Sequence, residues 1–578
     1  MDVKKPSVLI IGVYLLDIPN LVESITNNFN QTLTWHVEQQ WVAVGESAIS
    51  DRLQAVTFRH VRQKQPKFVL LNSLIAELDL SSYEYLIVCD DDINLPKGFL
   101  DDYLHLQARY EFALAQPSRS HDSYIDHQFV AQLKGIDARL TNFVEIGPLF
   151  SVNRDFIECL LPFDELAPMG WGLDFVWPVL LDKCALRMGI IDRLAVRHAL
   201  RKPVSNYGYT ETNESMKHYL AGRKHLSEKD AFTAIEVYTA GVFPVVSHAL
   251  TKKIKPKISA IICTYNRRDL IASALKSLCD QTLEKKYFEV IVVDDGSVDL
   301  TRKTVESYSS RLPIRYSYQE NAGLASARNH GLYLACGEII VFLDDDDFVD
   351  SDFLQQHVSS HQQHPENNMA ILGFTDLAEE IKDDPLMHYV TEIGCDLFSY
   401  PRLAHGQRLN FSYFWGGRSS CKRLFLLTHG VFNPVFKFGA EDIELSYRLA
   451  KEGFQIIYNK FAVSYMNRAL SFEDFCRRSY LQGRSNFVFG QLHPDQDVIE
   501  WAQLETLIKD WEQIGANYNE LLQAGKHLDL FARERFKAGL KLDALAQFFL
   551  QKSYKNAFSA SRIKGSIDMK KENAQDMT

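Results

Sequence analysis

Four carboxylates, Asp344, Asp345, Asp346 and Asp347, follow directly on the apolar run Val341-Phe342-Leu343. Such a run reads as a buried strand, and an unpaired carboxylate buried at its end would be costly. The charges therefore belong just beyond the strand end, in a crevice with a partner. A hard divalent cation, Mg²⁺ or Mn²⁺, suits them: it takes one or two carboxylates and completes its shell with water and phosphate oxygens. A solvated acidic turn is the competing explanation. A second copy shifts the balance, because Tyr85-Leu86-Ile87-Val88-Cys89 runs into Asp90, Asp91 and Asp92. Two strands ending in acids point to two similar nucleotide–metal sites in one chain.

The elements that must position these acids alternate between strand and helix signals. In the first half, strands are expected at 7–13, 35–44 and 85–89, with helices at 20–29 and 68–77. Further strand-like runs lie at 112–116, 143–151 and 190–192. A second block repeats the order, with strands at 258–263, 288–293, 315–318 and 339–343 and helices at 270–279, 301–308 and 324–335. A loop and helix at 438–449 and a strand at 454–458 follow. This alternation predicts an α/β fold with largely parallel sheets and ligands at the carboxyl ends of strands.

The expected organisation is a first domain over 1–205, a helical connector with a basic linker over 206–256, and a second domain over 257–490. A helical region follows over 491–564, then a polar, frayed tail over 565–578. A chain of 578 residues with 46% hydrophobic and 24% charged content has length for about two or three ordinary globular domains. The net charge of −11 argues against nucleic acid as a partner. Nine scattered cysteines without a C-x-x-C pair read as reduced core thiols of a cytoplasmic protein. The apolar start at 7–16 runs into Asp17 and Pro19 and reads as a core strand rather than a leader. No apolar run reaches the ~20 residues that span a bilayer.

Five motifs in the second half occur in a characteristic order: Thr264-Tyr265-Asn266-Arg267, Asp294-Asp295-Gly296-Ser297, Asn321-Ala322-Gly323 with Ala327-Arg328-Asn329-His330-Gly331, Asp344–Asp347, and Gly439-Ala440-Glu441-Asp442. Together they closely resemble family 2 glycosyltransferases of the GT-A fold. The resemblance implies a Rossmann-like domain that moves a sugar from a nucleotide-sugar donor, UDP-linked by preference, with inversion. It implies donor contacts from Thr264, Tyr265, Asn266, Asp294, Asp295, Arg328, Asp344 and Asp345, with Asp294 on a uracil-type base and Asp295 structural or on ribose. Asp344 and Asp346 would form the D-x-D element, Asp346 as metal ligand. Arg328 could reach phosphate, or tie its helix to the acids. Asp442 is the expected general base, since one carboxylate opposite the leaving group suffices for a single displacement. Glu441 and Trp415 are assigned to the acceptor.

Two features depart from the family pattern. Val463-Ser464-Tyr465-Met466-Asn467 supplies no histidine as a third metal ligand, and 477–486 lacks the Gln-x-x-Arg-Trp signature of processive synthases. A non-processive enzyme is expected.

The first half resembles a more divergent GT-A-like group through Asp90–Asp92, Glu145–Phe150, Gly170-Trp171-Gly172-Leu173-Asp174 and His198. By analogy Asp90, Asp92 and His198 would hold a metal, Asp174 would be a second base, and Trp171 would stack on a sugar. The favoured reading is a bifunctional transferase building surface polysaccharide, its acceptor an oligosaccharide or a lipid-linked glycan. The alternatives are one active second domain with a degenerate acceptor-binding first domain, a nucleotidyltransferase, and a carbohydrate-binding scaffold. The basic, aromatic stretch 531–564 can dock on the catalytic domain, self-associate into an oligomer, or lie on the inner face of the cell membrane.

Overall fold

The computed structural model describes residues 5–202, 209–239, 245–246 and 255–576. The two halves each build one mixed, mostly parallel sheet, and the two sheets share a strand order. In the first, Thr57–Val61, His36–Val44, Ser7–Leu15 and Tyr85–Asp90 run parallel; Leu149–Asn153 is antiparallel to the last; Phe112–Arg119 and Arg187–His198 follow. In the second, Ile314–Tyr318, Phe288–Asp294, Ile258–Thr264 and Ile339–Asp344 run parallel, then come antiparallel Ser419–Lys422, Met369–Leu377 and Gln455–Met466. Even the short strand after the acids repeats: Ile93–Asn94 pairs with Arg187–His198, and Asp347–Val349 with Gln455–Met466.

Most of the expected elements form within a few residues of their sequence bounds. Residues 143–148 form no strand, and that sheet position begins at Leu149. Met369–Leu377, Ser419–Lys422 and Ala138–Thr141 lie outside the elements expected from sequence. Within the expected connector, Ala234–Tyr238 extends the edge of the first sheet, pairing with Ala138–Thr141. Part of the basic linker at 251–257 lies outside the described residues. Residues 565–576 of the tail expected to fray are helical, because Ala544–Asp576 continues unbroken and packs on Phe472–Leu492. Gly483 and Gly565 allow that close approach, as each faces a backbone carbonyl of the other helix, of Arg562 and Tyr480.

The halves share one core. The 128–136 loop of the first packs on helix Leu324–Leu334 of the second. Tyr333 donates to the Gln128 carbonyl at 2.7 Å, and Glu320 N–H to the Gly135 carbonyl at 2.8 Å. Fully buried Arg139 lies over the Tyr333 ring at 4.6 Å and is paired with Asp192 at 2.9 Å. A buried ion pair of this kind is tolerated only with its hydrogen bonds complete. Arg139 meets that condition by also donating to the Phe129 and Ala131 carbonyls, both at 2.8 Å. The first half therefore braces the helix that carries Arg328.

Candidate active site

Strand Ile339–Asp344 delivers the acids to a collar of arginines. Asp344 meets Arg418 at 2.8 Å and Arg328 at 3.7 Å; Asp345 meets Arg267 at 2.7 Å; Asp346 meets Arg468 at 2.8 Å and Arg267 at 3.7 Å. Burial pushes the Asp344 carboxyl up, but Arg418, Arg328, Arg478 and Arg267 outweigh it and leave it below the ordinary range. Burial raises Asp345 to about 6 despite Arg267. Asp347 turns inward, accepts from Ser464 at 3.1 Å, and is pushed well up by burial.

The expected nucleotide residues divide into two groups. Asp295 lines the cavity while accepting from Gln319 at 2.7 Å, Ala322 N–H at 2.8 Å and Gly323 N–H at 3.0 Å. Thr264, Tyr265 and Arg328 line it too. Asp294 does not. Its oxygens face the sheet, accepting from Tyr316 at 2.8 Å and Ser297 N–H at 2.7 Å. Asn266, with φ of 52°, closes a turn by accepting from Val298 N–H at 2.9 Å, and it too lies outside the lining. Sequence placed Asp294 at the base. The geometry puts Asp295 at the cavity wall and Asp294 at the end of the strand, turned away from the cavity.

Across the cavity, helix Glu441–Ala450 starts sharply because Gly439 and Ala440 are both left-handed, with φ of 74° and 64°. Its acidic first turn suits the helix dipole. Asp442 accepts from Gly416 N–H at 2.8 Å and Ile443 N–H at 2.9 Å, so its direction is fixed. Glu441 accepts from Arg328 at 2.8 Å, and its other oxygen is buried without a partner. Arg328 thus ties the helix Leu324–Leu334 to both Glu441 and Asp344. Trp415 donates to the Ser412 carbonyl at 3.0 Å and stands against Tyr400 and Tyr413 at the rim.

These groups enclose one cavity of about 730 Å³, with Tyr265 and Asp295, the acid cluster, and Trp415, Glu441 and Asp442 in its lining. Sequence reasoning assigned no role to Arg267, Arg418, Arg468, Arg478 or Gln482, which also line it. Arg267 stands inside a motif already singled out. Arg478 and Gln482, one turn apart on helix Phe472–Leu492, carry no signal in sequence beyond that spacing.

The first half repeats this geometry with different chemistry. Lys67 meets Asp90 at 2.6 Å, as Arg328 meets Asp344. Asp174 is the second residue of its helix after left-handed Gly172, as Asp442 is after Ala440. Register, however, aligns Leu15 with Val44 where Thr264 aligns with Asp294, so Gly45 replaces Asp295. Asp174 is 5% exposed, one oxygen lacks a partner, and burial raises its carboxyl to about 7. Tyr219 and Leu220 of helix Tyr209–Ala221 sit against the turn before it. Trp171 lines a separate hollow of about 160 Å³ with Met169 and Met216.

Among the described residues no three His, Cys, Asp or Glu side chains converge as a metal cage. A cation bound mainly by diphosphate and water needs only one or two carboxylates. Asp344 and Asp346 meet that requirement once Arg468 releases Asp346. In the first half the expected ligands Asp90, Asp92 and His198 are likewise engaged by basic side chains. His198 stands between Arg119, 3.3 Å from its Nδ1, and Asp92, 3.2 Å from its Nε2. Arg201 pairs with Asp91 and Asp92, and Lys67 with Asp90.

Comparison with known proteins gives matches in sequence and in structure. Residues 259–407 match the sequence model described as Glycosyl transferase family 2. The validoxylamine A glucosyltransferase of Streptomyces hygroscopicus subsp. jinggangensis (strain 5008) is 33% identical over 221 residues, 34% of this chain and 52% of that protein. The poly(ribitol-phosphate) beta-N-acetylglucosaminyltransferase TarS of Staphylococcus aureus (strain Mu50 / ATCC 700699) is 37% identical over 110 residues, 19% of each. Among solved structures, the mannosyltransferase PcManGT from Pyrobaculum calidifontis in complex with GDP-Man and Mn²⁺ aligns with a TM-score of 0.38 and 20% identity, covering 55% of this chain and 92% of that one. The chain spans about half the length of the first of these relatives and less of TarS. Over residues 259–407 the chain carries a domain of glycosyl transferase family 2.

Proposed function

We propose that the second half transfers a hexosyl or N-acetylhexosaminyl unit from a nucleotide-sugar donor to a glycan hydroxyl, in surface polysaccharide synthesis. The carrying observation is the single cavity with Asp295 and Tyr265, the acid cluster, and a directed Asp442 all in its lining. Asp295 and Thr264 hold the nucleoside end, with UDP the preferred carrier. Asp344 and Asp346 would hold Mn²⁺ or Mg²⁺, which neutralises charge on the departing diphosphate. Arg478, whose guanidinium lies 5.4 Å from the Phe438 ring and pairs with no carboxylate among the described residues, faces the same charge. The acceptor oxygen attacks the anomeric carbon and its proton passes to Asp442. The bond to diphosphate breaks with its electron pair, and the configuration inverts. Relatives named for glucosyl and N-acetylglucosaminyl transfer support the sugar class.

The test is thermal stabilisation of the full chain by UDP-, GDP-, CMP- and dTDP-sugars with and without Mn²⁺. One donor class should stabilise by about 2.7 kcal/mol at a hundredfold excess over Kd. Stabilisation by nucleoside triphosphates alone would favour nucleotidyl transfer instead.

A bifunctional enzyme is the second reading. The shared strand order and the matching helix positions of Asp174 and Asp442 favour it. The buried Asp174 and the Gly45 substitution favour a first half that braces the second and contacts acceptor.

A further inference from the structure

The C-terminal helices Tyr518–Lys537 and Ala544–Asp576 form a hairpin that is docked at its base and bare at its tip. At the base, Phe558 packs on Phe475 at 4.5 Å, and Arg533 is held by Asp529 at 2.8 Å and by Asp384. At the tip, Phe536, Leu540, Leu545, Phe548 and Phe549 are 47–65% exposed. With Leu530 and Phe531, seven of the twenty exposed large apolar side chains among the described residues fall within 530–549. Scattered apolar residues need no explanation, but a cluster marks an interaction surface.

The surroundings of the tip select its partner. Arg535, Lys537, Lys541 and Lys552 flank the patch, against only Glu534 and Asp543 between 530 and 552, in a chain whose net charge is −11. A second copy would meet the patch through a twofold contact, setting this basic ring against itself. An anionic lipid surface instead accepts both the apolar tip and the cations. No helix among the described residues is long and apolar enough to cross a membrane, so the contact is with one leaflet.

We propose that the hairpin tip inserts into an anionic membrane surface, with Phe548 and Phe549 in the acyl boundary and Lys537 and Lys541 at the headgroups. Helix Phe472–Leu492, which lines the cavity through Arg478 and Gln482, packs directly on the docked part of this hairpin. The arrangement would bring a lipid-linked acceptor to the enzyme. The surface is independent of the transfer reaction, and its test reads lipid alone.

The experiment is flotation of the full chain with phosphatidylcholine vesicles, with and without phosphatidylglycerol, alongside light scattering of the free protein. Wild type should float with the anionic vesicles and much less with the neutral ones. Lys537→Glu with Lys541→Glu should weaken partitioning at least tenfold, since each basic residue near an anionic leaflet is worth about fivefold. Phe548→Ser with Phe549→Ser should abolish flotation with both vesicle types, and each variant should keep the wild-type melting midpoint because these side chains are exposed. Wild type that fails to float with anionic vesicles overturns the proposal. So does flotation of the Phe548/Phe549 variant at wild-type level. A dimer that this variant dissolves, without vesicle binding, would assign the patch to a second copy.

Discussion

Gly417→Ala tests how tightly the acid cluster is placed. Gly417 has no left-handed backbone, so alanine meets no conformational barrier there. A Cβ at this position would instead fall within the Asp344 carboxylate, whereas ordinary Cβ contacts begin near 3.4 Å. The carboxylate must withdraw by roughly 1.5 Å, and a displacement of even about 1 Å can cost on the order of a hundredfold in rate. Withdrawal also opens the 2.8 Å contact with Arg418. Overpacking of this kind costs about 1–3 kcal/mol, so the melting midpoint should fall by several degrees at most, leaving the fold intact. Donor affinity is read by thermal stabilisation and turnover by product formation, with Gly222→Ala as control because nothing lies within 4 Å of that position. Wild-type affinity and turnover in Gly417→Ala would refute the placement of Asp344 at the diphosphate.

Three further outcomes follow from the same geometry. Asp346→Ala, or chelator added to wild type, should remove most turnover while circular dichroism stays unchanged; full activity in chelator would sink the metal-assisted route. Burial raises Glu145 to about 8 and Asp174 to about 7, so the folded state holds protons that the unfolded state releases near pH 4. These groups therefore lower stability as pH rises from about 4 to 8, by up to about 1.4 kcal/mol per pH unit each. Glu145→Gln with Asp174→Asn should flatten the dependence of melting midpoint on pH in that window, and an unchanged slope would contradict it. Tyr333→Ala should cost about 3–5 kcal/mol, as for other large aromatic truncations. It should also weaken donor binding through Arg328, and a variant that melts like wild type would show that the halves are not braced there.

The acid clusters and the repeated order of parts were legible because both rest on local pattern: an apolar strand that stops at carboxylates, and glycine-led turns ahead of Asp174 and Asp442. Strand Ser419–Lys422 was not legible, since its four buried residues include two serines and a lysine, and Ser420 and Lys422 find their partners, His357 and Glu338, only in tertiary contacts. The inward turn of Asp294 depends on Tyr316, a contact between neighbouring strands that no motif records. The arginine collar was hidden for a similar reason. Arg468 reaches Asp346, and Arg478 the cavity wall, only once the last strand and the long helix have folded over the cavity. In the first half, the contact of His198 with Arg119 joins residues 79 apart in sequence, which no local motif records.

The central claim is that the cavity of the second half performs the transfer. Its direct measurement is mass spectrometry of acceptor products formed by Asp442→Asn and Asp174→Asn with each stabilising donor, alongside donor affinity. Asp442→Asn should bind donor nearly as wild type does and lose at least about a hundredfold in rate, the usual worth of a positioned base. Asp174→Asn should still add every sugar that wild type adds. Loss of a distinct sugar addition in Asp174→Asn would establish the bifunctional reading, and wild-type transfer by Asp442→Asn would contradict the account.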